Sequence, residues 1–328
     1  IFIIPGSPVM VKAEGLMMPL EDARLNPQSA EEIINMIYSM ARRKMDKLEV
    51  NGDDDFSFSV VDLSRFRCNV YRQRGTLAAT CRVVTFGLPD AQSLHIPQQV
   101  TELANLRSGM VLVTGPAGSG KSTTLACLVD KINNSRSGHI VTIEDPIEYL
   151  HSHRKSLVSQ REVPEDAPTF PLALRSALRQ APDVIMLGEM RDTETISTAI
   201  SAAETGHLLL SSLHTIGAAK TIDRIIDAFP AEQQHQIRMQ LSMVLRAVIS
   251  QRLLPKKDGG LIPVYEVMIA TPAIQALIRE NKTYQLQSII ETAYKDGMIT
   301  MDRALEDLYN DGKISYDDLK AFKPDVQE

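Results

Sequence analysis

The larger, second part of this chain predicts an α/β fold with a mainly parallel sheet covered on both faces, and three observations carry that prediction. Short apolar runs at Met110 to Thr114, His139 to Ile143, Asp183 to Leu187 and Leu208 to Leu213 alternate with helical patterns near Lys121 to Asn133, Phe170 to Gln180 and Thr193 to Ala203. That alternation is what parallel strands with crossover helices produce. A glycine-rich run, GPAGSGKS from Gly115 to Ser122, stands between the first strand and the first helix, the context a P-loop requires. Polar clusters close several of the apolar runs, at the strand ends where open α/β sheets place their ligands.

Each element has its own justification. The opening Ile1-Phe2-Ile3-Ile4 reads as a strand stopped by Pro5-Gly6 and is too brief for a membrane span or signal peptide. Because the chain begins without Met and inside that run, residues upstream of Ile1 are expected. Asn26 is placed to cap a helix begun by Pro27, with Ile33, Ile34, Ile37, Met40 and Ala41 as its apolar stripe. From Arg65 to Tyr71 residues alternate, with Phe66, Cys68 and Val70 on one face and Arg65, Arg67 and Asn69 on the other. The same alternation at Thr80-Cys81-Arg82-Val83 points Cys81 inward and Arg82 outward. Cys68 and Cys81 are therefore expected as core residues rather than redox centres, and Met17, Met18, Met36, Met40 and Met45 as core filling. A boundary between two domains is expected near Phe86 to Pro97, where Gly87-Leu88-Pro89-Asp90 and His95-Ile96-Pro97 interrupt the patterned regions. This gives an N-terminal domain with linker over 1–95 and a second domain over 96–328.

Farther along, Ile222, Ile225, Ile226 and Phe229 form a helical stripe, and Ile237, Leu241, Val244, Leu245 and Val248 another. Lys256-Lys257-Asp258 reads as a solvated turn. His151-Ser152-His153 reads as a surface loop, with no neighbouring Cys or carboxylate to complete a metal site. The segment from about 271 to 328 carries short amphipathic helices through Leu305, Leu308, Ile314, Tyr316 and Leu319.

The chain has 328 residues, enough for about two domains. A hydrophobic share of 44% with 23% charged residues is that of a globular protein. The formal net charge of -6 and the 5% aromatic content argue against a nucleic-acid motor, which needs a basic track and stacking rings. Three cysteines, Cys68, Cys81 and Cys127, make neither a CxxC pair nor an even disulfide framework, and fit a reducing cytoplasm.

The spacing of the glycine run is chemical. Gly115, Gly118 and Gly120 let the backbone curl so that successive N–H groups face phosphate oxygens at the positive end of the next helix. The phosphate-binding set is then Gly115, Pro116, Ala117, Gly118, Ser119, Gly120, Lys121, Ser122 and Thr123. Lys121 reaches the β and γ phosphates of ATP, and Ser122 gives its hydroxyl to Mg2+. Glu144-Asp145-Pro146-Ile147-Glu148 follows one strand and brings three carboxylates to its end. In Asp183-Val184-Ile185-Met186-Leu187-Gly188-Glu189, a Walker B pattern has Gly188 where an Asp often stands, so Glu189 takes the metal-side or water-side role. Gly206 to Thr215 ends a further strand in His214, placed to sense the γ phosphate.

Taken together, TIEDPIE at Thr142 to Glu148, GEMRD at Gly188 to Asp192 and AAETGHLLLSSLHT at Ala202 to Thr215 resemble the secretion and type IV pilus ATPases, most closely those of the pilus retraction type. The resemblance spans essentially the whole chain. It implies a PAS-like α+β N-terminal domain joined to a RecA-like ATPase domain, assembled as a hexameric ring. By the same resemblance Glu148 matches the general base, Glu189 the Walker B glutamate and His214 the histidine of the His box. Arg67 and Arg82 match the N-terminal-domain arginines that approach the γ phosphate. Extension and type II secretion motors usually carry a four-cysteine zinc module, and the absence of any cysteine after Cys127 favours the retraction branch. Ala273 to Glu280 resembles the AIRNLIRE segment of retraction proteins, with Gln275 and Ala276 departing from it. The resemblance also implies a cytoplasmic protein at the inner face of the cell membrane, working on an inner-membrane platform protein without a transmembrane segment or a nucleic-acid partner. Its output would be pilus retraction and twitching motility; a secretion or extension motor and a nucleotide-binding accessory subunit are the alternatives.

Overall fold

The computed structural model describes residues 1–13, 16–60, 63–84, 88, 91 and 94–323. Phe86, Gly87, Pro89 and Asp90 of the expected boundary lie outside the described residues. The chain forms two compact units, one of Ile1–Gly87 with Glu148–Leu150 and one of Leu88–Ile147 with His151–Glu328.

In the first unit, β1 (Phe2–Ile3), β2 (Met10–Ala13), β3 (Leu16–Pro19), α1 (Pro27–Met40), α2 (Asp46–Asn51), β4 (Asp53–Val60), β5 (Ser64–Gln73) and β6 (Thr76–Val84) follow in order. The strands make one sheet in the order β3-β2-β1-β6-β5-β4, antiparallel at every pairing described. Helix α1 starts as its sequence predicts: Asn26 Oδ1 accepts the Ser29 N–H at 2.8 Å, with Pro27 in the first turn. Its inner face, Ala30, Ile34, Ile37 and Tyr38, packs on Phe56, Phe58, Cys68 and Val70. A buried polar group is held in this core, where Arg43 donates twice to Asp54 at 2.9 Å and the Tyr38 hydroxyl donates to it at 3.1 Å. Removing one partner of such a group leaves a buried charge uncompensated. Burial and the Asp54 charge together push the Tyr38 hydroxyl well above its ordinary range.

The methionines correct the expectation made for them. Met36 and Met40 are 57% and 51% exposed, because they lie on the face of α1 opposite Ile34 and Ile37, and Met17 and Met18 are about half exposed on β3 at the end of the sheet. Of the five, Met45 packs against the core.

The second unit contains α3 (Gln98–Glu102), β7 (Gly109–Thr114), α4 (Lys121–Ser135), β8 (His139–Glu144), β9 (Leu157–Glu162), α5 (Phe170–Ala177), β10 (Val184–Leu187), α6 (Thr193–Glu204) and β11 (Leu208–Leu213). There follow α7 (Ala218–Asp227), α8 (Ala231–Val244), β12 (Leu245–Pro255), β13 (Leu261–Ile269), α9 (Pro272–Arg279), α10 (Leu286–Thr292), α11 (Met301–Asn310) and α12 (Tyr316–Phe322). Their sheet runs β13-β12-β7-β11-β10-β8-β9, parallel except for the β12–β13 hairpin. The strands read as unbroken apolar runs because both faces are buried. Met110, Leu112, Val141, Ile143, Ile185 and Leu187 face the helices from α5 to α10. Val111, Val113, Ile140, Val184 and Met186 face α3 and α4.

One apolar stripe, expected as a single helix face, in fact spans two elements. Ile237, Leu241 and Val244 belong to α8, whereas Leu245 and Val248 open β12. The backbone turns from helix to strand at Leu245, at φ −61° and ψ 132°, without a Gly or Pro to announce it. The C-terminal helices α11 and α12 bury Met301, Leu305 and Leu319 against Leu254, Ile262 and Val264 of the hairpin. Among the described residues no helix is long and apolar enough to cross a membrane.

Candidate functional site

The site grows from the strand order of the second unit. After β7 the chain crosses to β8, three strands away, and later returns to lay β12 on the other side of β7. The crevice beyond the carboxyl end of β7 is thus a topological switch point, where open α/β sheets bind ligands. Along that edge stand, in sheet order, the P-loop after β7, His214 after β11, Glu189 after β10, and Glu144 with Asp145 at the end of β8.

The P-loop has the backbone its glycines predict. Gly115, Gly118 and Gly120 take φ of +145°, +76° and +87°, values that L side chains rarely adopt. A Cβ on Gly115 would also meet the Gln251 carbonyl oxygen at 2.1 Å. Gly120 is the residue before α4, so the first N–H groups of that helix open onto the loop. Lys121 is buried and its ammonium donates to the Gly115 and Pro116 carbonyls at 3.0 and 2.9 Å, while Ser122 is exposed on the first turn. The hydroxyls of Thr114 and Ser119 are buried and lack a hydrogen-bond partner. Unpaired buried hydroxyls beside a ring of backbone donors fit a phosphate chain, whose oxygens satisfy both. Ser122, on the first turn of α4, is the hydroxyl that could hold a phosphate-bound Mg2+.

The Walker B strand is buried along its whole length and delivers Glu189 to the site. A Cβ on Gly188 would stand 3.5 Å from the Glu144 Cα, in ordinary contact, and the Ser212 hydroxyl donates to the Gly188 carbonyl at 2.5 Å. Glu189 is held from two sides. Arg191 Nη2 lies 2.5 Å from Oε1, and His214 Nε2 lies 3.3 Å from Oε2. That second contact does not close as a hydrogen bond, so Oε2 stays a buried acceptor without a donor, available to a water or a metal-bound ligand. Glu189 and His214, separate in sequence, are thus brought together. Glu144 serves the structure instead, since it is buried and accepts from Thr142 at 2.6 Å and from Gln160 at 3.2 Å.

Glu148, Arg67 and Arg82 belong to the first unit. Glu148 is exposed. Arg67 and Arg82 are register partners on the outer face of β5 and β6, as the alternation predicts, and Arg67 pairs with Asp55 at 2.7 Å.

Several residues escaped the sequence reading. Gln251 on β12 is buried, accepts the Thr124 hydroxyl at 2.8 Å, and lies against both Gly115 and Gly120. Its register partner Tyr265 also bonds to Thr124. One residue earlier, Ser250 accepts the Gly217 N–H at 2.9 Å, and its register partner Glu266 accepts the Ala218 N–H at 2.8 Å. Neighbouring positions of one hairpin thus hold the P-loop helix on one face and the loop after His214 on the other. The available signal was Ser250-Gln251 inside the apolar run Ala247 to Leu254, polar residues where a buried strand has no need of them.

Gln251→Leu keeps the bulk and removes the acceptor. It is expected to raise the KM for ATP about tenfold with a smaller change in kcat, measured by steady-state phosphate release. Gln251→Glu, which restores an acceptor for Thr124, should recover most of that loss, whereas a purely packing role predicts no recovery.

Burial raises the Glu266 carboxyl above its ordinary value, against the backbone donors Ala218 and Met301 that lower it. The folded state therefore keeps this proton to higher pH than the unfolded chain, so its contribution to stability falls as pH rises through the interval between the two values. Glu266→Gln keeps the acceptor without the ionisation. Its Tm should decline less than the wild type's between about pH 5 and about pH 8, and parallel profiles by calorimetry would count against the assignment.

A P-loop at a switch point, backed by a Walker B glutamate and a strand-end histidine on a RecA-like sheet, defines a P-loop ATPase. Residues 76–259 match the family described as Type II/IV secretion system protein. The twitching motility protein of Neisseria gonorrhoeae is 46% identical over 308 residues, covering 93% of this chain and 82% of that protein. The type IV pilus retraction ATPase PilT of Pseudomonas aeruginosa is 45% identical over 311 residues, covering 94% of this chain and 90% of that one. The crystal structure of the pilus retraction motor PilT with bound ADP superposes with a TM-score of 0.90 at 47% identity, covering 99% of this chain and 93% of that one. This chain belongs to the Type II/IV secretion system protein family, in its PilT-type branch.

Proposed function

We propose that this protein is a motor ATPase that hydrolyses ATP to power type IV pilus retraction, and with it twitching motility. The observation that carries the reading is likeness over nearly the whole chain to a retraction motor that holds ADP, at a TM-score of 0.90. Lys121 and the P-loop amides bind the phosphates, and Ser122 with Glu189 faces the metal side. When bound, Mg2+ supplies positive charge to the phosphate oxygens. Glu148 takes the proton of the attacking water as general base. His214, beside Glu189, reports the state of the γ phosphate to the loop that Ser250 and Glu266 anchor. Arg67 and Arg82 neutralise charge that develops on the transferred phosphoryl group, a contribution of about 10³ to 10⁵ in rate in related chemistry.

The working form is a homo-hexamer in the cytoplasm, at the inner face of the cell membrane against a platform protein. Its N-terminal units are the PAS-like half of the motor, and their closure and opening on nucleotide pass motion to that partner. The departures at Gln275 and Ala276, on α9, make an accessory motor of the same machine the second reading. Phosphate release by the purified protein with and without Mg2+, with the mass taken by light scattering, tests the proposal. Mg2+-dependent turnover in a six-subunit species is expected; nucleotide binding without turnover would favour the accessory reading.

A further inference from the structure

We propose that Cys68 and Cys81 form a redox-modification site, a thiol pair that a hydroperoxide converts into a cross-strand disulfide inside the N-terminal unit. The two residues are register partners on β5 and β6. Their sulfurs are 2.8 Å apart in a thiol-to-thiol hydrogen bond, and both side chains are buried.

The backbone shows why the pair is fit to bridge. Cys81 donates its N–H to the Ile1 carbonyl at 2.9 Å, and its own carbonyl accepts from the Ile1 nitrogen at 2.8 Å. Both backbone groups of Cys81 therefore turn toward β1 and away from β5. Cys68 and Cys81 are then a non-hydrogen-bonded pair of the antiparallel ladder, the kind whose Cα atoms stand closer, at about 4.5 Å. That spacing falls inside the range of about 4.4 to 6.8 Å that a disulfide spans. No strand has to shift.

A metal reading lacks ligands: among the described residues no group of three or more His, Cys, Asp or Glu side chains converges. Redox chemistry needs only the two sulfurs. The shared hydrogen bond raises the Cys68 thiol, with burial adding to it, and lowers Cys81. Cys81, the sulfur with the greater thiolate character and with 5% exposure against 0% for Cys68, takes the oxidant.

The Cys81 sulfur attacks one peroxide oxygen; an S–O bond forms, the O–O bond breaks, and the other oxygen leaves as water or alcohol with a proton. The Cys68 sulfur then attacks the sulfenic sulfur of Cys81. An S–S bond forms, the S–O bond breaks, and the departing hydroxide takes the Cys68 proton as water. Two electrons have passed from two thiols to one hydroperoxide, and a dithiol returns them.

Arg67 and Arg82 are the immediate chain neighbours of the two cysteines and are themselves register partners. The bridge would tie together the strands that present them.

The test uses the full, reduced protein and hydrogen peroxide. Intact mass should fall by about 2 Da and return with dithiothreitol. Tryptic digestion should yield the peptide Cys68 to Arg72 joined to the peptide Gly75 to Arg82, with Cys127 still a thiol. Cys81→Ser should abolish the joined peptide, and because the decision rests on the wild type, a folding defect in that variant changes nothing. Mass gains of about 16 Da per step without a joined peptide, or a bridge to Cys127, would overturn the proposal.

Discussion

Lys121→Ala is expected to lower kcat/KM for ATP by about 10³ while leaving the fold in place. The ammonium donates to two carbonyls of its own loop, Gly115 and Pro116. Pro116 is exposed, so its carbonyl can turn to water when the amine is gone, and the buried Gly115 carbonyl loses one neutral-acceptor contact. The lost charge is different, because in the proposed reading it meets the β and γ phosphates in a partly desolvated crevice, where a fixed charge is worth more than in water. The measurement is steady-state phosphate release beside a thermal melt. Turnover within threefold of wild type would place the phosphates elsewhere. A collapse of the melt would instead give Lys121 a structural role.

The second large effect concerns the base. Glu148→Gln is expected to lower kcat by about 10² to 10⁴ with ATP binding retained, since the amide keeps the size and hydrogen-bonding reach of the carboxylate and loses only its capacity to take a proton. Glu189→Gln is the comparison that gives this test its force. Glu189 is already engaged by Arg191 and stands 3.3 Å from His214, an arrangement suited to holding a metal-bound water or sensing phosphate. Single-turnover hydrolysis beside equilibrium binding of a fluorescent ATP analogue separates the two roles. If Glu148→Gln turns over within threefold of wild type while Glu189→Gln does not, the base is Glu189.

The oxidation test on Cys68 and Cys81 is independent of both results. It concerns a ladder inside one unit and would stand if the chain proved to be an accessory subunit rather than a motor.

Much of this protein was legible as a string of residues, because the interactions responsible are local. The P-loop needs glycines at fixed offsets before a helix. The buried strands need unbroken apolar runs, and the alternation around Arg67 and Arg82 needs only the two-residue period of a strand. The cap at Asn26 is a contact three residues long. Where local pattern is ambiguous the structure departs from it. The stripe from Ile237 to Val248 carries helix spacing across a helix-to-strand junction, and Met36 and Met40 stand outside the core because their helix already presents Ala30, Ile34 and Ile37 to the sheet.

What the sequence by itself determined was the glycine-rich loop, the alternation of strands and helices around it and the residue types at the strand ends. Only the tertiary structure decided which distant side chains support them. Thr124 meets Gln251 across 127 positions of sequence, Glu266 meets the start of α7 across 48, and Cys68 faces Cys81 across a ladder whose register sets their distance. Such pairings follow from strand order and register, which the packing of the whole sheet selects, so no local period in the chain encodes them.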